Sequence, residues 1–471
     1  MRKGSKQQKT GDEGQLDLFR TRPTHQGNLQ GRTLKGALHG AELLSQLQEQ
    51  RSQTSTILER IVDYGNLGRA YQRVKQNAGS AGIDQMSIYE LGKWLGGHLE
   101  QLRRSVLDER FRVSPVLKVE IPKANGGKRM LGIPTVKDRL MQQAIQQVLS
   151  VYYEPRFSNH SYGFRPGRSA HQAILRASEY VKSGKEWVVD IDLEKFFDKI
   201  NHDRLMQRLS KGIGDKRLLR LIKAFLKAGL FDDGLMSQRT AGTPQGGPLS
   251  PLLSNIVLDE LDKELEKRGH SFCRYADDCN IYVASKQAGD RVMHSIVRFI
   301  EKKLKLKVNR EKSAVRHCSD SKFLGYTLLE GGDIRVSDNS VKRLKEKIRE
   351  LSRRNRGVKF SQIIIELNRV IVGWTNYFCL AHKWLATFRE IDGWVRRRLR
   401  CYRLKQCGRK YTTFKFLRSL GVAESTSWNV VRFSQGWWCM SSKAAVSKAM
   451  GIDWFSKQGL LSFQYKLEGN S

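Results

Sequence analysis

The sequence lacks the cysteine spacing of disulfide-rich or zinc-binding proteins. Seven cysteines occur in 471 residues, an odd number, and no two of them form a Cys-x-x-Cys pair. Large chains with so few cysteines do not rest on a disulfide framework, and structural zinc sites usually contain such pairs. A disulfide scaffold and a structural zinc site are therefore both disfavoured.

Long apolar runs are missing as well. No segment approaches the roughly 20 consecutive apolar residues that a membrane-spanning helix requires. The first residues also contain no apolar core of the kind found in secretion signals. We therefore expect no membrane partner and a location in the cytosol.

Acidic residues are scarce relative to basic ones. The chain has 47 aspartates and glutamates against 84 lysines and arginines, which gives a formal net charge of +37 and an isoelectric point near 10.1. The basic excess extends from the first residues to beyond residue 410. Solubility does not require such a field, whereas binding to a polyanion does. Nucleic acid is therefore the expected partner.

Two of the scarce acids, Asp277 and Asp278, are adjacent and interrupt a run of β-branched, aromatic and cysteine residues from Phe272 to Val283. Neighbours on a regular strand point to opposite faces, so both acids can address one point only if the chain turns there. The pattern predicts a β-hairpin with the acid pair at its tip. Oxygen ligands on a rigid hairpin suit Mg²⁺. An exposed turn is the alternative, because aspartates are common in turns.

A second stretch, from Trp187 to Asp198, begins with the pattern of a buried strand. One face of this strand would carry the apolar residues Val189, Ile191 and Leu193. The other face would carry Asp190 and Asp192. An aspartate at the end of such a strand, combined with an Asp-Asp hairpin, supplies the carboxylates that a two-metal phosphoryl-transfer site needs.

Three motifs, in this order, resemble the palm motifs of reverse transcriptases encoded by bacterial group II introns. They are Asp192-Leu193-Glu194-Lys195-Phe196-Phe197-Asp198, Gly242-Thr243-Pro244-Gln245-Gly246-Gly247-Pro248-Leu249-Ser250-Pro251 and Tyr275-Ala276-Asp277-Asp278. The resemblance extends over residues 57–420. It implies an α+β fold, a right-hand polymerase with antiparallel sheet in its fingers and palm, followed by an α-helical thumb or maturase (X) domain.

The resemblance also implies a division into domains. We expect a disordered basic tail at residues 1–50 and an N-terminal helical extension at residues 51–105. The fingers and palm would follow at residues 106–330, and the thumb or maturase domain at residues 331–420. Residues 421–471 would form a small basic DNA-binding appendage.

The family motifs assign catalysis to Asp192, Asp277 and Asp278. These three residues, with Leu193, are the expected ligands of two Mg²⁺ ions, for which Mn²⁺ can substitute. Asp190 competes with Asp192 because both share a strand face. Asp192 is preferred, since the spacing to Phe-Phe-Asp matches the family from that position, and Asp190 and Asp198 are expected to support it.

Five further positions are expected to bind the incoming nucleotide. Lys123 and Arg129 flank a predicted hairpin turn, from which two cations can clamp a triphosphate. Phe197 would lie beneath the sugar and exclude a 2′-hydroxyl, which favours deoxynucleotides; a purely structural role in the core is the alternative. Gln245 can hydrogen-bond a base or sugar, and Lys312 resembles the family's lysine near the leaving phosphates.

From residue 341 onward, three amphipathic helical patterns combine basic residues with interleaved aromatic ones, as in a thumb that follows a nucleic-acid backbone. The pattern from Leu367 to Phe378 resembles the maturase-specific domain of group II intron proteins, which binds intron RNA. The expected RNA-binding residues are Arg165, Arg343, Arg353, Arg354, Arg369, Trp374, Arg396 and Arg397.

The resemblance implies an RNA-directed DNA polymerase encoded by a group II intron, which copies intron RNA into DNA by two-metal nucleotidyl transfer and assists splicing and mobility. Its expected partners are the intron RNA, an RNA template with a DNA primer, target DNA and deoxynucleoside triphosphates, in the bacterial cytosol with the nucleoid; a homodimer stays open. Many relatives end in an endonuclease domain with cysteine pairs, which this sequence lacks, so DNA cleavage by the protein is not expected.

Two alternatives remain. One is a reverse transcriptase that the host has adopted for repair or defence, without an intron. The other is a non-catalytic maturase whose palm is only a scaffold for RNA folding. Intact acids speak against the second, because a retired site has no physical reason to keep unpaired carboxylates.

Overall fold

The computed structural model forms two compact units. The described residues are 57–122, 128–232, 235–237, 241–243 and 246–464, without the side chains of 128–129, 235–236 and 382–385. Within them, the first unit contains residues 57–321 with 330–332, and the second contains residues 322–329 and 333–464. The division between the units thus falls just before the boundary expected at residue 330.

Helices make up most of the first unit. Polar caps begin several of them: the Asp63 carboxylate accepts hydrogen bonds at the start of α2, and Ser87 and Glu90 form a capping box at the start of α3. The α-helices of this unit are α1 Ile57–Ile61, α2 Tyr64–Asn77, α3 Ile88–Leu107, α4 Val136–Tyr153, α5 Ala170–Lys182, α6 Phe196–Lys199, α7 His202–Gly212, α8 Lys216–Lys227, α9 Ser250–Lys267 and α10 Lys286–Phe299. Short 3₁₀ turns lie at Glu154–Arg156, Cys318–Asp320 and Glu330–Gly332, and a π-helical turn at Ile300–Leu304.

The strands of the first unit form two sheets. They are β1 Val116–Pro122, β2 Lys128–Ile133, β3 Trp187–Ile191, β4 Leu230–Asp232, β5 Leu235–Ser237, β6 Ser271–Tyr275, β7 Asp278–Val283 and β8 Ala314–His317. The palm sheet has the order β6-β7-β3-β8, and every pair in it is antiparallel, as expected.

One face of the palm sheet is buried. Val189 and Ile191 of β3 and Ile281 of β7 are almost completely excluded from solvent and belong to the main hydrophobic core, together with residues of α9 and α10. Because side chains alternate along a strand, Asp190 faces the opposite side. The alternation predicted from residue 187 onward is therefore confirmed, and it places Asp190 on the face opposite the main core.

The fingers sheet is mostly antiparallel, as expected, and contains one parallel pair. Its order is β2-β1-β4-β5, and β1 pairs antiparallel with β2 but parallel with β4. The parallel pair joins Val116 to Leu230, residues far apart in the chain. Strand alternation carries no information about such long-range pairing, so the sequence pattern did not indicate it.

The second unit begins with the hairpin of β9 Tyr326–Leu328 and β10 Ile334–Val336 and is otherwise helical. Its helices are α11 Asp338–Leu351, α12 Phe360–Tyr377, α13 Leu385–Gln406, α14 Lys410–Ser419, α15 Glu424–Phe433, α16 Gly436–Met440, α17 Ala444–Ala449 and α18 Ile452–Lys457, with a 3₁₀ segment at Cys379–Trp384. The three expected thumb helices correspond to α11, α12 and α13. None of the helices in the described ranges is long and apolar enough to cross a bilayer.

Residues 421–464, the described part of the expected appendage, pack into this same unit. Phe463 is fully buried, and its ring meets the edge of Trp374 at 5.6 Å. Asp392 accepts hydrogen bonds from the Phe463 amide at 3.0 Å and from the Ser462 hydroxyl at 2.6 Å. An apolar anchor and a buried carboxylate thus attach this segment to α12 and α13. DNA binding by this segment stays a prediction.

Candidate active site

The acidic hairpin predicted from the sequence is present. β6 and β7 pair up to Tyr275 and Asp278, so Ala276 and Asp277 form a two-residue turn. Ala276 has φ 58°, in the left-handed region that residues other than glycine rarely adopt. This turn carries Asp277 and places Asp278 at the first position of β7.

The end of β3 lies beside this turn. β3 pairs antiparallel with β7, and Ile191 is opposite Cys279. Continuing that register by one residue sets Asp192 opposite Asp278, and cross-strand neighbours share a face of the sheet. The structure therefore brings the acid that follows β3 and the acids of the hairpin together, as the sequence predicted.

The main chain of Asp192 is held by the segment before β8. The Asp192 amide donates to the Ser313 hydroxyl at 2.9 Å, and the Asn309 amide donates to the Asp192 carbonyl at 2.9 Å. Lys312 Nζ lies 3.2 Å from Asp192 Oδ2. The Lys312 side chain is 64% exposed, so this cation is at the site yet open to solvent.

Asp190 has a cation of its own on the neighbouring strand. Arg316 Nη1 of β8 lies 3.1 Å from Asp190 Oδ2, because Asp190 is opposite Ala314 and Arg316 follows two residues later on the same face. A guanidinium already neutralises Asp190, which favours the supporting role expected for it. Asp192 at the strand end is the better candidate for a metal ligand.

The carboxylates repel one another. The pKa of Asp278 is raised to about 7, first because the surrounding protein limits its hydration and then because Asp277, Asp190 and Asp192 lie nearby; Lys312 opposes the rise. Burial likewise raises the pKa of Asp190 to about 6, against the effect of Arg316. The Asp278 side chain still reaches water, and solvent screening weakens its repulsion. Negative charge is thus concentrated around Asp278, beside Asp277 and Asp192.

These donors fit a hard divalent cation. Carboxylate oxygens are the ligands that Mg²⁺ prefers, and positive charge relieves the repulsion just described. Across the described residues, no three His, Cys, Asp or Glu side chains are grouped as a metal-binding set. The acids therefore converge on the same sheet face without closing around a point.

Leu193, also expected to bind metal, can contribute only through its main chain. Its apolar side chain is buried, and it forms an isolated antiparallel bridge with Val308. The hydrogen bonds beside this bridge use Asp192 and Glu194. In such a pair the carbonyl of the central residue points away from its partner strand. The Leu193 carbonyl is thus directed away from Val308.

Phe197 lies in the short helix α6, which follows Lys195 in the left-handed region at φ 48°. Its ring is half-buried and meets Phe196 edge-on at 5.3 Å. Its carbonyl accepts a hydrogen bond from the Thr243 amide at 2.7 Å. Gly242 approaches so closely that a Cβ there would lie 2.7 Å from the Phe197 carbonyl oxygen. The glycine-rich motif is therefore attached to the segment that carries Phe197.

The expected triphosphate clamp is only partly visible. Arg129 lies in β2 opposite Ile121 of β1, which confirms the predicted hairpin strands. Lys123 and Gln245 lie outside the described residues, and so does the side chain of Arg129. Their roles in nucleotide binding stay predictions.

Two of the expected RNA-binding residues are interior. The Arg165 side chain is 3% exposed, and it donates to the Glu154 carboxylate at 2.9 Å and to the Ser161 carbonyl at 2.8 Å. Trp374 is buried against Phe378 and other aromatic rings of the second unit. These contacts give both residues a packing role, and RNA binding by either one stays a prediction.

The other expected RNA-binding residues all lie in the second unit and reach its surface. The exposed ones are Arg343, Arg353, Arg354 and Arg369. Arg396 and Arg397 are half-buried.

Sequence reasoning missed several residues around these sites. Asn309 and Ser313 hold the main chain of Asp192, and the only signal for them was their position beside Lys312. Arg398 and Arg349 lie against the ring of Trp394, at 5.3 Å and 5.5 Å from its centroid. The spacing of Trp394 and Arg398 on one helix could have indicated that contact.

Comparison with known proteins matches two family models in order along the chain. Residues 121–328 match the reverse transcriptase (RNA-dependent DNA polymerase) model. Residues 341–421 match the group II intron, maturase-specific domain. The first model contains all four acids of the site, and the second contains helices α12 and α13 with their arginines.

Individual relatives agree. The chain is 33% identical to Protein YkfC of Escherichia coli over 304 residues, which cover 55% of this chain and 80% of that protein. It is 31% identical to the group II intron-encoded protein LtrA of Lactococcus lactis subsp. cremoris, over 54% of this chain and 52% of that protein. It is 29% identical to the putative COX1/OXI3 intron 2 protein of Saccharomyces cerevisiae, over 61% of this chain and 41% of that protein.

The chain thus spans about half or less of the last two relatives, but most of the first. An acidic palm site within a polymerase match, followed by a basic helical unit within a maturase match, leads to one conclusion. The chain belongs to the group II intron family of reverse transcriptases, RNA-directed DNA polymerases that carry a maturase domain.

Proposed function

We propose that this chain copies group II intron RNA into DNA at the palm site and that its second unit assists splicing and mobility of the intron. The observation that carries the proposal is the convergence of Asp192, Asp277 and Asp278 on one face of the palm sheet, where their charges oppose each other. Such repulsion is unfavourable unless cations bind there.

Asp192, Asp277 and Asp278, with the main-chain oxygen of Leu193, would hold two Mg²⁺ ions, and Mn²⁺ could replace them. When bound, such ions activate the primer 3′-hydroxyl and neutralise charge that develops on the phosphates. The chain's own contribution is to fix the ligands. The hairpin turn holds two acids, and the Ser313 and Asn309 contacts hold the third.

Cations and an aromatic ring would place the nucleotide. Lys312 is exposed and lies 3.2 Å from Asp192, so its ammonium group would reach the phosphates of a deoxynucleotide at the site. Lys123 and Arg129 would grip the triphosphate from the fingers, and Gln245 would hydrogen-bond the base or sugar. The half-buried ring of Phe197 would exclude a 2′-hydroxyl.

The second unit would bind the intron RNA. Between residues 341 and 421 it has 22 lysines and arginines against five aspartates and glutamates. Exposed arginines on α12 and in the segment after α11 suit a phosphate backbone, because Arg forms paired hydrogen bonds with phosphate oxygens. We propose three further partners, the RNA template, its DNA primer and the target DNA. The same proposal includes a homodimer and a location in the bacterial cytosol with the nucleoid.

Primer extension on an RNA template tests the proposal. Purified protein should extend a DNA primer with deoxynucleotides when Mg²⁺ is present, stop when the metal is chelated, and use ribonucleotides poorly. The Asp277→Asn protein, purified in parallel, controls for contaminating polymerases and should be inactive. A wild-type protein that binds RNA but makes no DNA would contradict the polymerase assignment and favour the scaffold alternative.

A further inference from the structure

The turn that carries Asp277 has a strained residue next to it. Ala276 adopts φ 58°, a conformation that is unfavourable for a non-glycine residue and persists only where the surroundings hold it. The strands alone do not explain this, because hairpin turns with positive φ normally use glycine or asparagine. Other contacts must therefore fix the turn.

Arg274, two residues before Ala276, provides such a contact. Its side chain is 1% exposed, and Nη1 donates to the Ala276 carbonyl at 2.8 Å. That carbonyl belongs to the peptide bond linking Ala276 to Asp277. The guanidinium therefore sets the orientation of the peptide from which the Asp277 side chain projects.

All five N–H groups of this guanidinium have an acceptor. Besides Ala276, Arg274 donates to both oxygens of Asp262 at 2.6 Å, to Asn255 Oδ1 at 3.0 Å and to Ser161 Oγ at 2.7 Å. Asp262 is fully buried on α9, and so is the ion pair. Only the planar fork of arginine can satisfy this set, since lysine has three donors at one atom.

The turn is also confined from the other side. Gly163 lies so close that a Cβ there would be 2.3 Å from the Ala276 amide nitrogen. Asn255, which accepts from Arg274, also donates to the Gly163 carbonyl at 2.9 Å. The chain at 160–162 bonds the main chain of Arg274 in both directions, through the His160 carbonyl and the Tyr162 amide.

We propose that Arg274 is a positioning residue for the metal site: with Asn255 and Gly163 it holds the Ala276–Asp277 peptide so that Asp277 and Asp278 face Asp192. The inference rests on the proposed function only for its activity readout. Arg274 touches no substrate, and its effect on the reaction passes through the two acids of the hairpin.

Binding of Mn²⁺, followed by electron paramagnetic resonance, tests this without catalysis. Arg274→Lys keeps a charge beside Asp262 but cannot also reach Ala276, so Mn²⁺ affinity should fall about tenfold or more, as when groups that orient metal ligands are removed. A misplacement near 1 Å can lower a rate about 100-fold, so kcat of primer extension should fall by about that factor. Affinity for the primer–template duplex and the KM for deoxynucleotide should change little.

Gly163→Ala perturbs the turn without touching the ion pair and should weaken Mn²⁺ binding in the same way. If Arg274→Lys fails to fold, the double variant Arg274→Met with Asp262→Leu removes both buried charges, a change that folds tolerate better than an unpaired charge. It lacks the bond to Ala276 and should show the same loss. Arg139→Lys alters a buried arginine that bonds Ser80 instead, and it should leave Mn²⁺ affinity unchanged.

Folded variants at Arg274 and Gly163 that bind Mn²⁺ like the wild type and keep its kcat would overturn the proposal. Failure of the proposed function has a different signature. A wild-type protein that binds Mn²⁺ but copies no RNA would refute the polymerase assignment, while the comparison of Mn²⁺ affinities would still decide the role of Arg274.

Discussion

Two regions of this molecule gather side chains of one charge, and the charges are opposite. On the palm sheet, limited hydration and neighbouring acids raise the pKa of Asp278 to about 7. In the second unit, burial together with Arg396 and Arg397 lowers the pKa of Arg400 to about 10. Both groups are held in surroundings that oppose their charge. In each region, neighbouring charges of the same sign add to the effect of burial on the pKa.

The two regions differ in shape. The acids lie at a two-residue turn and at the end of one strand, within a small part of the palm sheet. The arginines extend along α11, α12 and α13, which is a surface. A small region of negative charge suits small divalent cations, and an extended positive surface suits a polyanion. Chemistry and RNA binding should therefore be separable by mutation.

Removal of the hairpin acids should have the largest effect. The double variant Asp277→Ala with Asp278→Ala loses two of the proposed metal ligands, and bound metal would supply several kcal/mol of transition-state stabilisation. Since each 1.4 kcal/mol or so is a factor of ten in rate, cDNA synthesis should fall more than about 1,000-fold. Affinity for intron RNA and assistance to splicing should stay near wild type. Primer extension and RNA filter binding measure the two activities.

The control is Asp290→Ala, which removes an exposed acid from α10, outside the site, and should keep full polymerase activity. Loss of RNA binding together with cDNA synthesis in the double variant would show that the two regions are not independent. That result would contradict the separation of polymerase chemistry from RNA binding.

Neutralising exposed arginines should produce the reverse pattern. The triple variant Arg353→Gln, Arg354→Gln and Arg369→Gln removes up to three phosphate contacts from the second unit. The slope of log affinity against log salt should become shallower by about two to three. The rate of primer extension at saturating primer–template should change little. Binding titrations at several salt concentrations measure the slope.

Lysine at the same three positions provides the matched control, because it keeps the charge and loses only the paired geometry of arginine. The lysine variant should keep the salt slope. If the glutamine variant binds more weakly with an unchanged slope, the arginines act through packing rather than through phosphate charge.

Phe197 tests a property that should depend on neither charged region. That property is the selection of deoxynucleotides over ribonucleotides. Phe197→Ala removes the ring that would oppose a 2′-hydroxyl, so ribonucleotides should become substrates. The preference for deoxynucleotides should fall by at most about 100-fold, the limit for an apolar pocket that rejects one hydroxyl. Competing extension with both nucleotide types measures the ratio.

Phe196→Leu is the neighbouring control. Phe196 is 2% exposed and belongs to the core, so its truncation should lower the melting temperature without changing nucleotide choice. A Phe197→Ala protein that still rejects ribonucleotides would assign the ring to packing, the alternative that the sequence left open.

Local patterns predicted much of the palm site. Neighbouring residues alone indicate the apolar alternation along 187–191 and the turn at Asp277. The structure contains both the strand and the hairpin. The thumb helices were predictable for the same reason, since apolar spacing reveals the buried face of α11 to α13. The acids converge because two such local elements pair.

Side-chain direction and long-range partners were not predictable. Arg165 was expected at RNA from the family resemblance, which gave no sign of its internal bonds to Glu154 and nearby carbonyls. Trp374 was expected at RNA from the resemblance to the maturase-specific domain, which gave no sign of its packing against Phe463 and other aromatic rings. Residue type states what a side chain can bind, whereas tertiary packing decides which partner it meets. The parallel pairing of β1 with β4 was invisible for the same reason.

The smallest expected effect concerns stability without metal. The pKa of Asp278 in the folded protein is about 7, above the value near 3.9 of an unfolded chain. The folded state therefore holds this proton more tightly, and stability falls as pH rises from about 4 to 7. Asp278→Asn removes that loss. In chelator at pH 8 the variant should melt roughly 1–2 °C above wild type, because solvent screening limits the gain.

This difference should shrink as the pH is lowered toward 4, where Asp278 is protonated in both folded and unfolded chains. Saturating Mg²⁺ should reverse the order, because an ion that binds only the folded state stabilises the wild type more than a variant with fewer ligands. Calorimetry at the two pH values, with and without Mg²⁺, measures all four cases. A variant that melts below wild type in chelator at pH 8 would mean that Asp278 is stabilised by a partner within the chain. The negative charge of the palm would then serve to stabilise the fold. Only the arginine-rich surface of the second unit would be expected to bind a ligand through its charge.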